Sequence, residues 1–124
     1  MIKSIILVFI GGGVGSVCRF LISKINYFEK TEFPYSTLIV NIIGCFLIGF
    51  FVGLVIKNFS NTSPLFILFC IGFCGGFTTF STFGYEVVKL ITDNQYLNIF
   101  IYVSSSVIIG VIAVLVGIKI AKYL

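Results

Sequence analysis

The sequence predicts an all-α integral membrane protein with four transmembrane helices, the third of which is broken near its middle. Hydrophobic residues make up 59% of the 124 residues and charged residues 10%, and the mean hydropathy is +1.20. A soluble domain could not carry so apolar a surface. Roughly 20 apolar residues span a bilayer core. Four runs reach that length: Ile2 to Ile25, Phe33 to Ile56, Pro64 to Leu90 and Leu97 to Ile120. We expect one four-helix transmembrane domain over residues 1–124.

The first predicted span combines glycines with an arginine at membrane depth. Gly11 and Gly15 share one helix face, on which a neighbouring helix can approach closely. Arg19 follows one turn later, before the polar loop begins. Its side chain could reach the membrane interface, or it could face a water-filled cavity and attract anions. The sequence leaves both alternatives open.

The second predicted span carries a polar face. Thr37, Asn41 and Cys45 recur every four residues, and the helical rise places Asn41 about 10 Å inside the helix start. A buried asparagine either bonds to a neighbouring helix or offers its amide hydrogens to a species that crosses the membrane. Gly49 and Gly53 form a second small-residue face, which we expect to serve helix packing.

The third predicted span contains the stretch GFCGGFTTFSTFGY, residues Gly72 to Tyr85. An unbroken helix from Pro64 to Leu90 would measure about 40 Å, more than the roughly 30 Å hydrocarbon core. Gly75 and Gly76 disfavour a helix, and the hydroxyls after them can bond to backbone groups that an opening exposes. Non-helical backbone in a bilayer is tolerated only where protein buries it or where it lines a cavity or ion site. The predicted break therefore indicates ion handling.

Two phenylalanines follow the predicted break. Phe80 and Phe83 lie three residues apart on one helix face, while Thr82 and Glu86 lie four apart on another. Phenylalanines in membrane helices usually contact lipid or fill packing space. Their ring edges also carry partial positive charge, so rings turned edge-on into a narrow path can hold a small anion.

The fourth predicted span places Tyr102, Ser106 and Gly110 on one face, which is a candidate contribution to a polar path. Ser106 belongs to a run of three consecutive serines. Successive helical positions differ by about 100°, so the three cannot share a face. We expect at least one of them to bond back to its own helix.

The charges favour neither nucleic-acid binding nor a fixed orientation. The net charge is +4, but the basic residues are scattered instead of forming a patch. They divide almost evenly between the two predicted membrane sides: Lys3, Lys57, Lys119 and Lys122 on one, and Lys24, Lys30, Lys89 and, if it counts, Arg19 on the other. Because an excess of lysine and arginine sets orientation, a balanced chain can insert either way up and pair with itself in antiparallel fashion.

The titratable residues argue against catalysis and against a side-chain metal site. The sequence has no histidine, and its four cysteines all lie in predicted spans, where free cysteine acts as a small apolar residue. The four acids, Glu29, Glu32, Glu86 and Asp93, include no close pair at membrane depth. We therefore expect no enzyme activity, and passive flow instead of proton-coupled exchange.

The motifs GGGVGSVCRF, STLIVNIIGCFLIG and GFCGGFTTFSTF resemble those of the CrcB, or Fluc, family of bacterial fluoride channels, and the resemblance covers the whole chain. It implies an antiparallel, dual-topology dimer of four-helix subunits with two fluoride pores in the cell inner (plasma) membrane. It also implies a structural sodium ion at the dimer centre. The expected function is passive fluoride efflux and hence fluoride resistance. The partner would be a second copy in a homodimer, or a related chain in a heterodimer.

Carried onto this chain, the resemblance assigns roles to individual residues. The backbone carbonyls of Gly75 and Thr78 would bind sodium, and Arg19 would sit in a vestibule. The residues expected near the fluoride pore are Asn41, Phe80, Phe83, Ser81, Thr82, Tyr102 and Ser106. The fourth helix matches loosely, because family members offer hydroxyls where this chain has only Gly110 or Val114.

Two other function classes fit parts of the sequence. Small multidrug exporters also have four spans and can form antiparallel dimers, but proton coupling needs a membrane carboxylate. The only candidate is Glu86, near a predicted helix end. A non-transporting membrane scaffold would explain the glycine faces but not a hydroxyl-rich break.

Overall fold

The computed structural model describes residues 1–25, 31–58 and 63–124. Within these ranges, four stretches are long and apolar enough to cross a membrane, as predicted. The described part contains helices α1 (Ile2–Ser23), α2 (Tyr35–Asn58), α3 (Pro64–Phe66), α4 (Gly75–Phe77), α5 (Phe80–Thr92) and α6 (Tyr96–Tyr123), with a π-helical segment (Ile67–Cys74) between α3 and α4. The third span runs from Pro64 to Thr92. Lys30, counted in the charge balance, lies outside the described residues, as does the side chain of Lys57.

The third span begins with a serine cap. Ser63 accepts a hydrogen bond from the Phe66 N–H at 3.2 Å, and Pro64 occupies the first helical turn. A serine oxygen at this position satisfies one of the N–H groups that the first turn leaves without a helical partner, and proline lacks the N–H that would need one. The start of the span is therefore set by local sequence.

Non-helical backbone interrupts the third span after α4. Thr78 has φ −78° and ψ 158°, and Thr79 has φ −148° and ψ 122°, which are extended values. We call this pair of residues the interruption. It comes after Gly75 and Gly76, on which the sequence placed the opening and which are themselves helical. The third span as a whole is bent by 18°, so a helix broken near its middle stays a prediction.

Glycines bring α1 into backbone contact with the third span. A Cβ atom on Gly11 would collide with the Leu68 carbonyl oxygen, and one on Gly15 would collide with the Phe73 carbonyl oxygen. From the opposite side, a Cβ on Gly76 would meet the Gly12 carbonyl oxygen. The close approach predicted for the Gly11 and Gly15 face is therefore confirmed.

A second set of glycines packs α2 against α6. A Cβ on Gly49 would collide with the Val114 carbonyl oxygen, and one on Gly53 would lie 2.7 Å from the Ala121 Cβ. Gly117 on α6 faces the Phe46 carbonyl oxygen in the same way. The packing role predicted for Gly49 and Gly53 is confirmed.

We expect Gly15→Ala to destabilise the protein, because its methyl group would force α1 away from the third span. Overpacking of this kind costs about 1–3 kcal/mol, which exceeds the gain in helix propensity of about 1 kcal/mol. Gly13→Ala is the matched control, since a Cβ there meets nothing within 4 Å. Thermal unfolding in detergent measures both. An unfolding temperature for Gly15→Ala equal to or above that of the unmodified protein would show that the helices separate at no cost.

Candidate functional site

The backbone of the interruption is held by a side chain of α2. The Asn41 Nδ2 donates to the Thr79 carbonyl oxygen at 3.2 Å, and the Thr79 N–H donates to Asn41 Oδ1 at 2.9 Å. This two-point pairing satisfies both polar groups of an extended residue inside the membrane span. In a continuous helix the Thr79 N–H would bond to the Gly75 carbonyl oxygen. That carbonyl therefore loses its helical partner.

Threonine hydroxyls occupy further backbone groups on both sides of the interruption. Thr78 Oγ1 donates to the Cys74 carbonyl oxygen at 2.8 Å. Thr79 caps α5, because its Oγ1 accepts from the Thr82 N–H at 3.3 Å and donates to Thr82 Oγ1 at 3.0 Å. The Thr82 N–H would otherwise reach the Thr78 carbonyl oxygen. The two carbonyls that lose their helical donors to side chains in this way are those of Gly75 and Thr78, the pair expected to bind sodium.

Arg19 points inward, toward the third span. Its Nε donates to the Gly76 carbonyl oxygen at 3.2 Å, and the Ser16 hydroxyl donates to the same oxygen at 3.3 Å. The Arg19 Nε group is thus turned toward the third span, while both alternatives left open by the sequence stay predictions. Arg19 also lines a cavity of about 160 Å³ together with Thr37, Thr82 and other residues of α1, α2 and the third span. Its vestibule role stays a prediction.

A larger cavity, of about 430 Å³, lies on the other side of the interruption. Its lining is mostly apolar and includes no carboxylate and no basic side chain within the described ranges. The Phe80 and Phe83 rings line it with centroids 5.8 Å apart and planes 28° from parallel. Six residues assigned from the sequence meet around this cavity: Asn41, Gly75, Thr78, Phe80, Phe83 and Ser106. We call it the phenylalanine cavity.

The other assigned residues lie apart from the phenylalanine cavity. Arg19 and Thr82 face the smaller cavity. Ser81 is exposed, with its hydroxyl 3.4 Å from Thr79 Oγ1. Tyr102 is fully buried, and its ring lies 5.0 Å from that of Phe83.

Glu86, to which the sequence assigned no role in the pore, is the centre of a hydrogen-bonded cluster. Its Oε1 accepts from Thr37 Oγ1 at 2.7 Å and its Oε2 accepts from the Tyr102 hydroxyl at 2.7 Å. The sequence does single out Glu86, because it is the only acid inside a predicted span. Glu86 also borders a more polar cavity of about 590 Å³, which Glu32 and Lys89 line as well.

The serine run of α6 bonds to its own helix. Ser106 Oγ donates to the Tyr102 carbonyl oxygen at 2.7 Å, and Ser105 Oγ donates to the same oxygen at 3.2 Å. This confirms the expected back-bonding. A Cβ on Gly110 would lie 3.4 Å from Cys45 Sγ, so this face of α6 packs on α2.

The oxygens beside the interruption that could serve as hard ligands for a cation belong to the backbone, to threonine hydroxyls and to the Asn41 amide. Among the described residues, no group of three or more histidine, cysteine or acidic side chains could hold a metal ion. All four cysteines are free thiols. The buried side-chain nitrogen and oxygen atoms of the described part all have a hydrogen-bond partner.

These features define a multi-pass membrane protein with cavities between its helices, the class that contains channels and transporters. Residues 6–118 match the family described as CrcB-like protein, Camphor Resistance (CrcB). A protein of Flavobacterium psychrophilum named Fluoride-specific ion channel FluC is 46% identical over 98% of this chain and 99% of its own length. Proteins of the same name are 44% identical in Phocaeicola vulgatus, over 94% of this chain and 96% of theirs, and 39% identical in Pyrococcus abyssi, over 98% of both.

The chain belongs to the CrcB family. The resemblance drawn from its motifs is therefore confirmed. The family is one of ion channels, so the chain is not an enzyme. It is a multi-pass membrane protein, which in bacteria places it in the plasma membrane.

Proposed function

We propose that this chain forms a fluoride channel that lets fluoride leave the cell passively and so confers fluoride resistance. The names of its relatives support fluoride as the conducted ion, since a protein 46% identical over nearly the full length is named a fluoride-specific ion channel. The observation that carries the proposal is the meeting of Asn41, Phe80 and Phe83 around one cavity without a charged side chain. Such a cavity offers donors to an anion but no fixed cation to trap it.

The donors of the phenylalanine cavity suit a small, strongly hydrated anion. Asn41 uses one amide hydrogen on Thr79, and its second has no protein acceptor within the described ranges. Ser106 donates to its own helix, but a hydroxyl can rotate toward an ion at the cost of one hydrogen bond. The ring edges of Phe80 and Phe83 carry partial positive charge. Together these groups replace part of the water that fluoride must lose.

The N-terminus of α5 adds a favourable field. The interruption starts a new 13-residue helix at Phe80, inside the third span. The first turn of a helix carries a partial positive charge that favours an anion. Phe80, at that end, is a lining residue of the phenylalanine cavity. The interruption thus supports anion conduction without placing a charged side chain beside the ion.

Passive flow is supported by the position of Glu86. Both of its carboxylate oxygens accept hydrogen bonds, one from Thr37 and one from Tyr102. Glu86 does not line the phenylalanine cavity. A proton-coupled exporter would need this carboxylate to alternate between a proton and its substrate. An inside-negative potential alone drives an anion outward, by about 2.3 kcal/mol per 100 mV.

We propose further that two chains assemble as an antiparallel dimer with two pores. Phe80 is 84% exposed in the single chain, and Gly75 is exposed with open space beside its backbone. The carbonyls of Gly75 and Thr78 have lost their helical N–H partners to the side chains of Asn41 and Thr79. Lipid cannot satisfy them, whereas a partner subunit or a bound cation can. The near balance of basic residues between the two membrane sides supports the antiparallel arrangement.

The same carbonyls fit a structural sodium ion. Neutral carbonyl oxygens are hard ligands that suit a hard cation, and the oxygens of Gly75 and Thr78 have lost their helical N–H partners to Asn41 and Thr79. Two subunits related by a twofold axis would present two such pairs. When bound, the ion would neutralise the clustered carbonyl dipoles and stabilise the assembled state by mass action.

Purified protein in liposomes tests the proposed function. Fluoride-loaded vesicles should release fluoride when a potassium ionophore balances the charge, without a pH gradient, and chloride-loaded vesicles should release far less. Protein-free vesicles are the control. Release that requires a proton gradient would indicate an exchanger, and drug uptake would indicate an exporter. The absence of any flux would leave the scaffold alternative.

Asn41→Asp should reduce fluoride release by at least about a hundredfold. A carboxylate near 4 Å from the ion adds repulsion of about 4 kcal/mol at an effective dielectric constant of 20, and it opposes the Thr79 carbonyl that the amide now satisfies. Asn94→Asp is the control, since Asn94 lies in an exposed turn and only its Oδ1 contacts Tyr96. Release is compared at equal dimer content by size-exclusion chromatography. Normal release by Asn41→Asp would remove this residue from the pore.

Gly75→Val should weaken the dimer by about 1–3 kcal/mol and reduce its dependence on sodium. Within one chain a Cβ at Gly75 meets nothing within 4 Å, so the effect must come from whatever covers this position in the assembly. Gly13→Val is the matched control, because its Cβ also meets nothing within 4 Å. Dimer stability and flux are measured as sodium is replaced by a large organic cation in prolonged dialysis. Full stability and activity without bound sodium would contradict the sodium proposal.

A further inference from the structure

The Gly76 carbonyl oxygen receives two side-chain donors from α1. In a continuous helix it would accept from the Phe80 N–H. Here the extended residues separate Gly76 from Phe80, which begins α5. The oxygen instead accepts from Ser16 Oγ at 3.3 Å and from Arg19 Nε at 3.2 Å. Two donors from another helix therefore hold the last turn before the interruption.

Glycine contact makes this carbonyl reachable. Gly76 lies against the Gly12 carbonyl, and Gly15 lies against the Phe73 carbonyl, with no room for a Cβ at either glycine. Ser16 and Arg19 are three residues apart, so they project from neighbouring positions of one helix face. The positive charge of Arg19 also lies near the carboxyl end of the helical run from Pro64 to Phe77, where a helix favours cations.

We propose that Arg19 is a positioning residue whose Nε–H, together with the Ser16 hydroxyl, clamps the Gly76 carbonyl and so orients the neighbouring Gly75 carbonyl. This inference rests on the proposed function, because its effect on the channel depends on the Gly75 carbonyl being a sodium ligand. Consecutive carbonyls in one helical turn point along the same axis. Holding Gly76 thereby restricts rotation of the peptide group before it. This positioning role differs from the attraction of anions by a charge in the vestibule, because positioning needs a hydrogen-bond donor aimed at the Gly76 carbonyl.

Substituting lysine for Arg19 separates the positioning role from the attraction of anions. Lysine keeps the charge, but its nitrogen lies one bond further along the side chain than arginine Nε. Arg19→Lys therefore preserves anion attraction while misplacing the donor. Attraction of anions also weakens as salt shortens the screening length, from about 10 Å at 0.1 M to about 3 Å at 1 M. A direct hydrogen bond is insensitive to this change.

The test is a double-mutant cycle of Arg19→Lys and Ser16→Ala, each in the full chain in liposomes. Either donor alone holds the carbonyl in part, so we expect Ser16→Ala to have a small effect by itself and the double variant to lose more than the sum of the single variants. Arg19→Lys should reduce fluoride release about tenfold. The loss should be equal at low and high concentrations of an impermeant potassium salt. Lys24→Gln, which removes a cation lying over the Phe20 ring on the same helix, should leave release unchanged.

Two readouts other than flux accompany the cycle. Amide hydrogen exchange over residues 75–82 should be faster in the double variant, and the sodium concentration that half-stabilises the purified protein should rise about tenfold. Additive effects, or a flux loss in Arg19→Lys that depends on salt, would overturn the clamp. If the unmodified protein releases no fluoride while hydrogen exchange still shows coupling, the proposed function fails and the clamp stands.

Discussion

The requirement that every backbone polar group inside a bilayer find a partner governs this structure. Two extended residues, Thr78 and Thr79, interrupt the third span, and their neighbourhood draws donors and acceptors from two other helices. Asn41 of α2 pairs with both polar groups of Thr79, and α1 supplies donors to the Gly76 carbonyl. The carbonyls of Gly75 and Thr78 lose their helical donors to the side chains of Asn41 and Thr79. The same constraint therefore explains the interruption's internal bonds and the proposed need for a partner and a cation.

Close helix packing is what allows short polar side chains to reach a neighbouring backbone. Lipid provides no hydrophobic force that would draw the helices together, so small residues and direct backbone contact supply the association. The Gly12 and Gly76 contact brings Ser16 within reach of a carbonyl oxygen. The glycines of α2 and α6 fix the second helix pair in the same manner. The hydrogen bonds from side chains to neighbouring backbone thus depend on the close packing of the helices.

The charged side chains within the spans are kept out of the phenylalanine cavity. Arg19 is engaged with a carbonyl on one side of the interruption, and Glu86 is held by Thr37 and Tyr102. A cation beside the ion path would bind an anion too tightly, and a carboxylate would repel it. In the proposed channel, neutral donors and aromatic edges face the ion, while the charges stabilise the protein around it.

The amino-acid sequence alone determined the four spans, the glycine faces and the family, because hydropathy and short-range spacing are properties of the chain itself. It also indicated that hydroxyls near residue 78 would satisfy exposed backbone. Only the tertiary structure decided the remaining geometry. It placed the extended residues after Phe77, turned Arg19 inward, buried Tyr102 and paired Glu86 with Thr37. Each of these depends on contacts between residues distant in sequence, and helical periodicity gives a residue's face without giving the neighbour that the face meets.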